Sequence, residues 1–146
     1  MTERSRPGCR FGRALFVDAA ARGGNHQSRH DVFRDVHRAL GFGYREYIYK
    51  LAMERDLRRL GHRVDREAPI TIYYRGEPLA EERMDMVVNQ RVIVETKATE
   101  QLHPMASTQL FGYLCASEYE VGLLLHFGHV ASFSRVIFEN RFKRRA

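Results

Sequence analysis

Two acidic residues and a lysine stand among apolar residues in the stretch 83–97, where they could hold a cation. The stretch reads as two short strands joined by a polar turn at residues 89–91. Asp85, Glu95 and Lys97 interrupt its apolar runs, and a buried charge is costly unless it is paired or bound to a metal. Because Glu95 and Lys97 are two positions apart, they project from the same face of a strand.

The register of this predicted hairpin decides whether Asp85 meets Glu95. A two-residue turn would pair Asp85 with Val94 and leave Glu95 on the opposite face. An odd-length turn centred on Gln90 pairs Asp85 with Glu95 and gathers the apolar residues on one face, so we favour it. Two carboxylates about 4 Å apart repel by roughly 4 kcal/mol at an effective dielectric of about 20. A divalent metal, Lys97 or both should therefore lie between them.

Length and composition limit the class of protein. At 146 residues the chain is long enough for one domain with a real core. No apolar run approaches the roughly 20 residues of a membrane helix, so we expect no membrane partner. The sparse, widely separated cysteines suit a reducing cytoplasm, which is the expected location. The net charge of +6 favours a polyanionic partner without identifying it. Cys9 and Cys115 lack CxxC spacing, which argues against a zinc site, an iron–sulfur cluster or a disulfide framework.

The order of predicted elements indicates a single domain with a basic segment at each end. Residues 1–29 are rich in Arg, Gly and Ser, and we interpret them as a flexible basic arm or as residues that add nothing to the fold. Residues 30–138 carry elements in the order α-α-β-β-β-α-β-β, which predicts an α/β sandwich around a mixed sheet. Residues 139–146 form a basic tail that we expect to be frayed.

The individual elements follow from periodicity and from turn residues. Apolar residues at helical spacing predict helices at 32–40, 44–60 and 104–117. β-Branched and aromatic runs predict strands at 68–74, in the hairpin 83–97, and at 121–125 and 132–138. Gly61 stands where a C-cap is expected after the second helix. The continuous apolar run 121–125 indicates a strand covered on both faces.

The acidic stretch resembles the motif of a nuclease superfamily. Asp85 followed, after a strand-length gap, by the run Glu95-Thr96-Lys97 is similar to the D…(D/E)xK core of the PD-(D/E)xK nucleases. Residues 43–49, Gly-Tyr-Arg-Glu-Tyr-Ile-Tyr, resemble the pattern that names the GxxExxY proteins, a bacterial branch of that superfamily. Further blocks similar to that branch occur in the same order at residues 36–43, 74–77 and 109–114. The resemblance covers about residues 30–138 and implies a restriction-endonuclease-like fold, a three-layer sandwich whose mixed central sheet is flanked by helices.

The resemblance implies phosphodiester hydrolysis assisted by Mg²⁺ or Mn²⁺. Asp85 and Glu95 would hold the ion through their oxygens, with the Thr96 carbonyl and waters completing the octahedron. Such an ion lowers the pKa of a bound water and polarises the scissile phosphate. Lys97 would orient that water or stabilise charge on the phosphoryl oxygens.

Residues on two predicted helices would complete this site. Glu46 is the candidate fourth acidic group, a catalytic residue and metal ligand on the same helical face as Gly43 and Tyr49. On this interpretation Gly43 gives close access and Tyr49 places a hydroxyl beside the site. Gln109, as a catalytic residue, and Tyr113 lie one turn apart and would contact the nucleic-acid backbone or the metal-bound water. The plainer interpretation makes both tyrosines half-buried packing residues.

Other assignments also have plainer alternatives. Lys97 and Glu95 could form a salt bridge at a strand end, although the neighbouring acids favour metal binding. Glu46 could be a solvated helix residue paired with Lys50, four positions later. His37 is better interpreted as a structural histidine than as a ligand.

These observations predict a small nuclease-like domain that binds one or two divalent ions and acts on nucleic acid, with DNA the favoured substrate. The alternative is a catalytically inactive module of the same fold that binds nucleic acid or a protein partner. A third possibility is a domain that cleaves only as a homodimer or within a larger complex. Arg and Lys side chains would supply salt-dependent affinity for phosphate.

Overall fold

The computed structural model describes residues 31–143 and has three layers, with a sheet of five strands between helices. The helices are α1 (Val32–Leu40), α2 (Glu46–Arg59) and α3 (Ala106–Ala116), followed near the end by a short 3₁₀ turn at Asn140–Phe142. The strands are β1 (Val64–Tyr74), β2 (Glu77–Val88), β3 (Val92–Lys97), β4 (Val121–Phe127) and β5 (Ala131–Ile137). The predicted fold class and element order are confirmed. The arm predicted at residues 1–29 and the last three residues of the tail lie outside the described residues.

The sheet is mixed, and its spatial order follows the chain, β1-β2-β3-β4-β5. Neighbouring strands are antiparallel except for β3 and β4, which are parallel. A parallel pair needs a crossover connection, and α3 supplies it. Helix α3 covers one face of the sheet, and α1 and α2 cover the other. The end of β3 is therefore approached from both faces by helices.

The first two strands are longer than the sequence predicts. β1 begins at Val64 rather than at residue 68, and β2 begins at Glu77 rather than at residue 83. The added part of β2 is exposed, with charged residues at Glu81 and Glu82. Strand pairing depends on backbone hydrogen bonds, so polar residues can extend a hairpin without leaving an apolar pattern in the sequence.

The core beneath α1 and α2 is built around aromatic rings. The ring of Tyr49 stacks on that of Phe127 with centroids 4.4 Å apart, and Phe33 meets Phe127 edge-on at 4.9 Å. Burying a large apolar side chain of this kind contributes roughly 1.5–3 kcal/mol. His37 Nε2 lies 2.7 Å from the Gly128 carbonyl oxygen, which matches the structural role that we favoured for this histidine. These contacts fix both helices against β4, whose seven residues are all buried, as predicted for a strand covered on both faces.

The backbone conformations of Arg45 and Gly61 set the two ends of helix α2. Gly61 follows α2 with φ +89°, a left-handed conformation that favours glycine, and this confirms the predicted stop. Helix α2 begins at Glu46, two positions after the predicted start at Tyr44, because Arg45 is extended with ψ 149°. None of the helices in the described residues 31–143 is long and apolar enough to cross a membrane.

The beginning of the predicted tail contacts the domain. Lys143 Nζ donates hydrogen bonds to the carbonyl oxygens of Ser117, at 2.9 Å, and Tyr119. Asn140 Nδ2 donates to the Glu118 carbonyl oxygen at 2.8 Å. Residues 140–143 are thereby held against the loop that follows α3.

Gly122 of β4 provides a test of the packing between sheet and helix. A Cβ atom at Gly122 would lie 2.7 Å from Cδ1 of Leu110 on α3, closer than carbon atoms can approach. We expect Gly122→Ala to lower the free energy of unfolding by about 1–3 kcal/mol, because Leu110 or the helix must move. Urea denaturation would measure the loss.

Gly112→Ala is the matched control within α3. A Cβ atom at Gly112 would meet no other atom within 4 Å. Alanine is the better helix former, so this variant should gain about 0.5–1 kcal/mol. Equal effects of the two substitutions would contradict the close approach of α3 to β4.

Candidate active site

The pairing of β2 with β3 brings the two acidic residues together. Met86 pairs with Val94, which is the predicted register centred on Gln90. One position further along, the Asp85 backbone N–H donates to the Glu95 carboxylate, with N and Oε1 3.1 Å apart. Asp85 and Glu95 therefore meet at the end of the β2–β3 ladder, as the favoured register requires.

The Asp85 carboxylate accepts hydrogen bonds from β3 and from α2. Its Oδ2 accepts from the Thr96 backbone N–H at 2.8 Å and from the Thr96 hydroxyl at 3.0 Å. Its Oδ1 accepts from Lys50 Nζ at 3.2 Å, and the same ammonium lies 3.3 Å from Glu67 Oε1. The side chain of Asp85 is thus oriented from two elements at once.

Among the described residues, Asp85 is paired with Lys50, a cation that was not among those expected between the acids, which were a divalent metal, Lys97 or both. Lys50 lies on α2, and packing of this helix over the end of β2 brings its ammonium to the acid. Sequence reasoning considered Lys50 only as a partner of Glu46. The structure instead pairs it with Asp85 and Glu67. Burial lowers the pKa of Lys50, but the charges of its two acidic partners outweigh burial and raise that pKa overall.

Glu95 is a buried carboxyl group, with 3% of its surface exposed. Burial, followed by the charge of Asp85, raises the pKa of Glu95 from 4.5 to about 8. The hydrogen bond from the Asp85 backbone N–H and the charge of the Lys97 ammonium lower this pKa, but by less than burial and the charge of Asp85 raise it. A carboxylate in this position is unstable as an anion until another positive charge reaches it.

Lys97 belongs to a hydrogen-bonded chain that runs to α3. Its Nζ donates to Gln109 Oε1 at 3.2 Å, and Gln109 Nε2 donates to the Tyr113 hydroxyl at 3.2 Å. Burial, then the charge of Glu95, raises the pKa of Tyr113, which keeps its hydroxyl neutral. Among residues 31–143, Lys97 is held by Gln109 and not by the salt bridge to Glu95 that was the plainer alternative.

Glu46, in the first turn of α2, lies near the charged groups of Asp85, Lys97 and Lys50. Burial, then the charge of Asp85, raises the pKa of Glu46, while Lys97 and Lys50 lower it. Its pKa thus responds to charges on both strands and on its own helix. The alternative pairing of Glu46 with Lys50 is not formed in the described structure, because the Lys50 ammonium contacts Asp85 and Glu67 instead.

Tyr49 and Gly43 do not have the roles expected of them. The Tyr49 side chain is fully buried, and its hydroxyl donates to the Gly41 carbonyl oxygen at 2.6 Å and accepts from the Tyr44 backbone N–H at 3.3 Å. Its hydroxyl therefore ties the turn before α2 and does not lie beside the acids, which favours the packing interpretation. A Cβ atom at Gly43 would meet nothing within 4 Å, so glycine is needed there for its φ of +120° and not for close access.

The chemistry of the donor set fits a divalent ion. Within residues 31–143 no group of three or more His, Cys, Asp and Glu side chains is arranged as a complete metal cage. Mg²⁺ does not need one, because it commonly binds through one or two carboxylates and keeps several waters. Asp85 and Glu95 can supply those carboxylates, because the Asp85 backbone N–H donates to Glu95 Oε1 and the charge of Asp85 acts on the Glu95 carboxyl group.

A cavity of about 560 Å³ opens beside Lys97. Its lining comes from the end of β3, the loop after it and the start of α3: Lys97, Thr99, His103, Met105, Ala106, Thr108 and Gln109. A second cavity, of about 610 Å³, lies along β1, and neither cavity is lined by Glu46, Asp85 or Glu95. We regard the cavity beside Lys97 as the candidate substrate site, because its wall includes Lys97 and Gln109, which are hydrogen-bonded to each other beside the acids.

The raised pKa of Glu95 predicts how stability depends on pH in metal-free protein. Because its pKa is about 8 in the folded chain against 4.5 when exposed, the folded state retains a proton that the unfolded state releases. The resulting stabilisation is complete below about pH 4.5 and is lost as the pH rises towards 8. Its size is roughly 3–5 kcal/mol.

Glu95→Gln removes this titration while it keeps an oxygen for the Asp85 backbone N–H. In EDTA, the stability of the variant relative to wild type should increase as the pH rises from 5 to 8, measured by urea unfolding at each pH. Glu81→Gln, at an exposed position on β2, is the control and should give a nearly constant difference. Parallel curves for wild type and Glu95→Gln would contradict the assignment.

Comparison with known proteins adds to this geometry. The crystal structure of SSO0001 is similar in fold, with a TM-score of 0.51 and 18% sequence identity, over 64% of this chain and 50% of that one. The chain thus spans about half the length of SSO0001. None of the curated proteins matches the chain. Residues 26–137 match the family model of the PD-(D/E)XK nuclease superfamily, and the chain therefore belongs to that superfamily.

Proposed function

We propose that this protein cleaves phosphodiester bonds of nucleic acid, with DNA as the favoured substrate and Mg²⁺ or Mn²⁺ as the cofactor. Membership of the nuclease superfamily implies a nucleic-acid partner. The observation that carries the proposal is the meeting of Asp85 and Glu95 at the end of the β2–β3 ladder, with Lys97 on the same strand. A net charge of +6 is consistent with a polyanionic substrate.

Asp85 and Glu95 are the proposed metal ligands, and the Thr96 carbonyl and Glu46 are further candidates. A bound divalent ion would supply an activated water and neutralise charge on the scissile phosphate. Thr96 has a second task, because its N–H and hydroxyl hold one oxygen of Asp85 in place. Asp85 is therefore oriented before any ion arrives, which reduces the entropy lost when the ion binds.

Lys97 is the proposed electrostatic catalyst. It projects from the same face of β3 as Glu95, and Gln109 holds its ammonium by a hydrogen bond of 3.2 Å. An ammonium held in this way stabilises the negative charge that builds on phosphoryl oxygens in the transition state. Gln109, itself bonded to the Tyr113 hydroxyl, positions Lys97 and is also close enough to the cavity to contact substrate.

The start of α2 supports placing the chain in the GxxExxY branch. Each position of that motif has a physical role in this fold. Gly43 adopts a left-handed φ, Glu46 faces the acids, and Tyr49 ties the preceding turn to α2. On either side of Glu46, Tyr44 and Tyr47 are each 53% exposed and offer rings on which bases could stack.

One observation favours the second candidate, a binding module without turnover. Lys50 already neutralises Asp85 in the described structure, and a permanently paired acid would bind metal poorly. Such a protein would still bind nucleic acid or a protein partner. A domain that cleaves only as a homodimer would behave in the same way until it dimerised.

Substitution of Lys97 separates the two candidates. Plasmid, single-stranded DNA and RNA would be incubated with Mg²⁺, Mn²⁺ or EDTA. We expect wild-type protein to cut in a metal-dependent way and Lys97→Ala to cut at least about 100-fold more slowly, because transition-state charge is no longer stabilised. Arg38→Ala, which removes an exposed positive charge on α1, is the control and should cut at the wild-type rate. Retention of nucleic acid on a filter without cutting by wild type would favour the binding module.

Glu46→Gln tests the candidate ligand from α2. If Glu46 contacts the ion directly or through a water, Mn²⁺ affinity measured by calorimetry should fall by roughly 10–100-fold, with a matching loss of cutting rate. Glu77→Gln, at an exposed position on β2, should leave both quantities unchanged. If Glu46→Gln has no effect on either quantity, Glu46 is not part of the site.

A further inference from the structure

We propose that Lys50 is an internal cation that holds Asp85 in the metal-free protein and passes to Glu67 when a divalent ion binds. This inference rests on the proposed metal site at Asp85 and Glu95. It adds a positioning residue whose contacts change during metal loading. No chemical step is assigned to Lys50 itself.

The ion pair of Lys50 with Asp85 is enclosed and differs in this from an ordinary surface salt bridge. The side chains of Lys50 and Asp85 are 13% and 14% exposed, and their charged atoms are 3.2 Å apart. Removing one partner of such a pair leaves the other charge poorly solvated. In metal-free protein the ammonium therefore offsets the repulsion that Asp85 meets from Glu95 and Glu46.

An ion that takes an oxygen of Asp85 must compete with Lys50. Among the described residues, Thr96 supplies both donors to Oδ2, one from its backbone and one from a side chain on the rigid β3. Oδ1 accepts from Lys50, whose four-carbon stem can turn away. Two cations at one carboxylate oxygen repel each other strongly, so the ammonium gives way.

Glu67 is placed to receive the ammonium. Its Oε1 already lies 3.3 Å from Lys50 Nζ, and its side chain is 47% exposed, so the pair can form without burying more charge. Glu67 has a φ of +53°, which is unfavourable for a residue with a side chain. It lies where the β1–β2 ladder is interrupted, between the pairs Arg66–Met86 and Ala68–Met84. A small rotation of the lysine side chain completes the transfer without backbone movement.

The transfer predicts that Lys50 weakens metal binding while it stabilises metal-free protein. In Lys50→Gln the melting temperature in EDTA should fall, and Mn²⁺ affinity measured by calorimetry should rise by about tenfold or more, since the competing cation is gone. A lysine with a purely structural role would lower the melting temperature and leave the affinity unchanged or weaker. That result would overturn the proposal. Lys50→Met keeps the apolar stem and replaces Lys50→Gln if the latter does not fold.

Arg63→Gln is the matched control for loss of one positive charge. Arg63 forms an exposed pair with Asp65, 3.2 Å away, and its backbone N–H is bonded to Asn89 at the turn end of the hairpin. Its removal should change neither the melting temperature in EDTA nor the Mn²⁺ affinity by a comparable amount. An equal gain in affinity would assign the effect of Lys50 to net charge alone and overturn the proposal.

A double-mutant comparison tests the role of Glu67. Glu67→Gln should weaken Mn²⁺ binding, because the displaced ammonium loses its second partner. In the Lys50→Gln background the same substitution should have little effect, since no ammonium remains to be received. Equal weakening in both backgrounds would indicate a long-range charge effect and overturn the transfer.

The outcomes separate this inference from the proposed function. If wild-type protein binds Mn²⁺ and Lys50→Gln binds it no more tightly, the inference fails while the metal site stands. If neither protein binds Mn²⁺ although both are folded, the metal site and the inference fail together. If only Lys50→Gln binds Mn²⁺, the lysine competes for the site as proposed, but it does not pass to Glu67 in wild-type protein, and the transfer is overturned.

Discussion

The repulsion between the carboxyl groups of Asp85 and Glu95 governs the arrangement of the polar groups around them. The fold relieves it in two ways. Asp85 receives three hydrogen bonds, from the backbone and hydroxyl of Thr96 and from the ammonium of Lys50. Within residues 31–143, Glu95 receives one, from the backbone of Asp85, and its pKa rises to about 8 instead. Asp85 is thus held by hydrogen bonds from its partners, whereas burial and the charge of Asp85 favour the neutral form of Glu95.

The three layers of the domain meet at this pair of acids. Strands β2 and β3 supply the acids themselves, because their ladder ends one position before Asp85. Helix α2 approaches from one face with Glu46 and Lys50, and α3 approaches from the other with Gln109. A site assembled from separate layers depends on tertiary packing, so the cores on both faces of the sheet determine its geometry.

The sequence predicts the parts of this arrangement that local patterns encode. The register of the β2–β3 hairpin follows from the alternation of apolar residues and from the odd length of its turn, and the stop of α2 follows from Gly61. The contact of Lys50 with Asp85 and the inward position of the Tyr49 hydroxyl could not be predicted in this way. Both depend on how α2 is rotated against the sheet, which spacing along the helix does not specify. Spacing does show that Lys50 lies one turn after Glu46, and this was the available signal for its role.

Helix α3 lies close to β4 at Gly122, because the strand contributes no side chain there and the Leu110 side chain packs directly on its backbone. Gln109 directly precedes Leu110, the residue that fills the space above Gly122. If a methyl group at Gly122 displaced the backbone of α3 as well as the Leu110 side chain, the 3.2 Å hydrogen bond between Gln109 and Lys97 would lengthen. Through that turn of helix, the size of one residue on β4 is coupled to the position of a lysine on the adjacent strand β3.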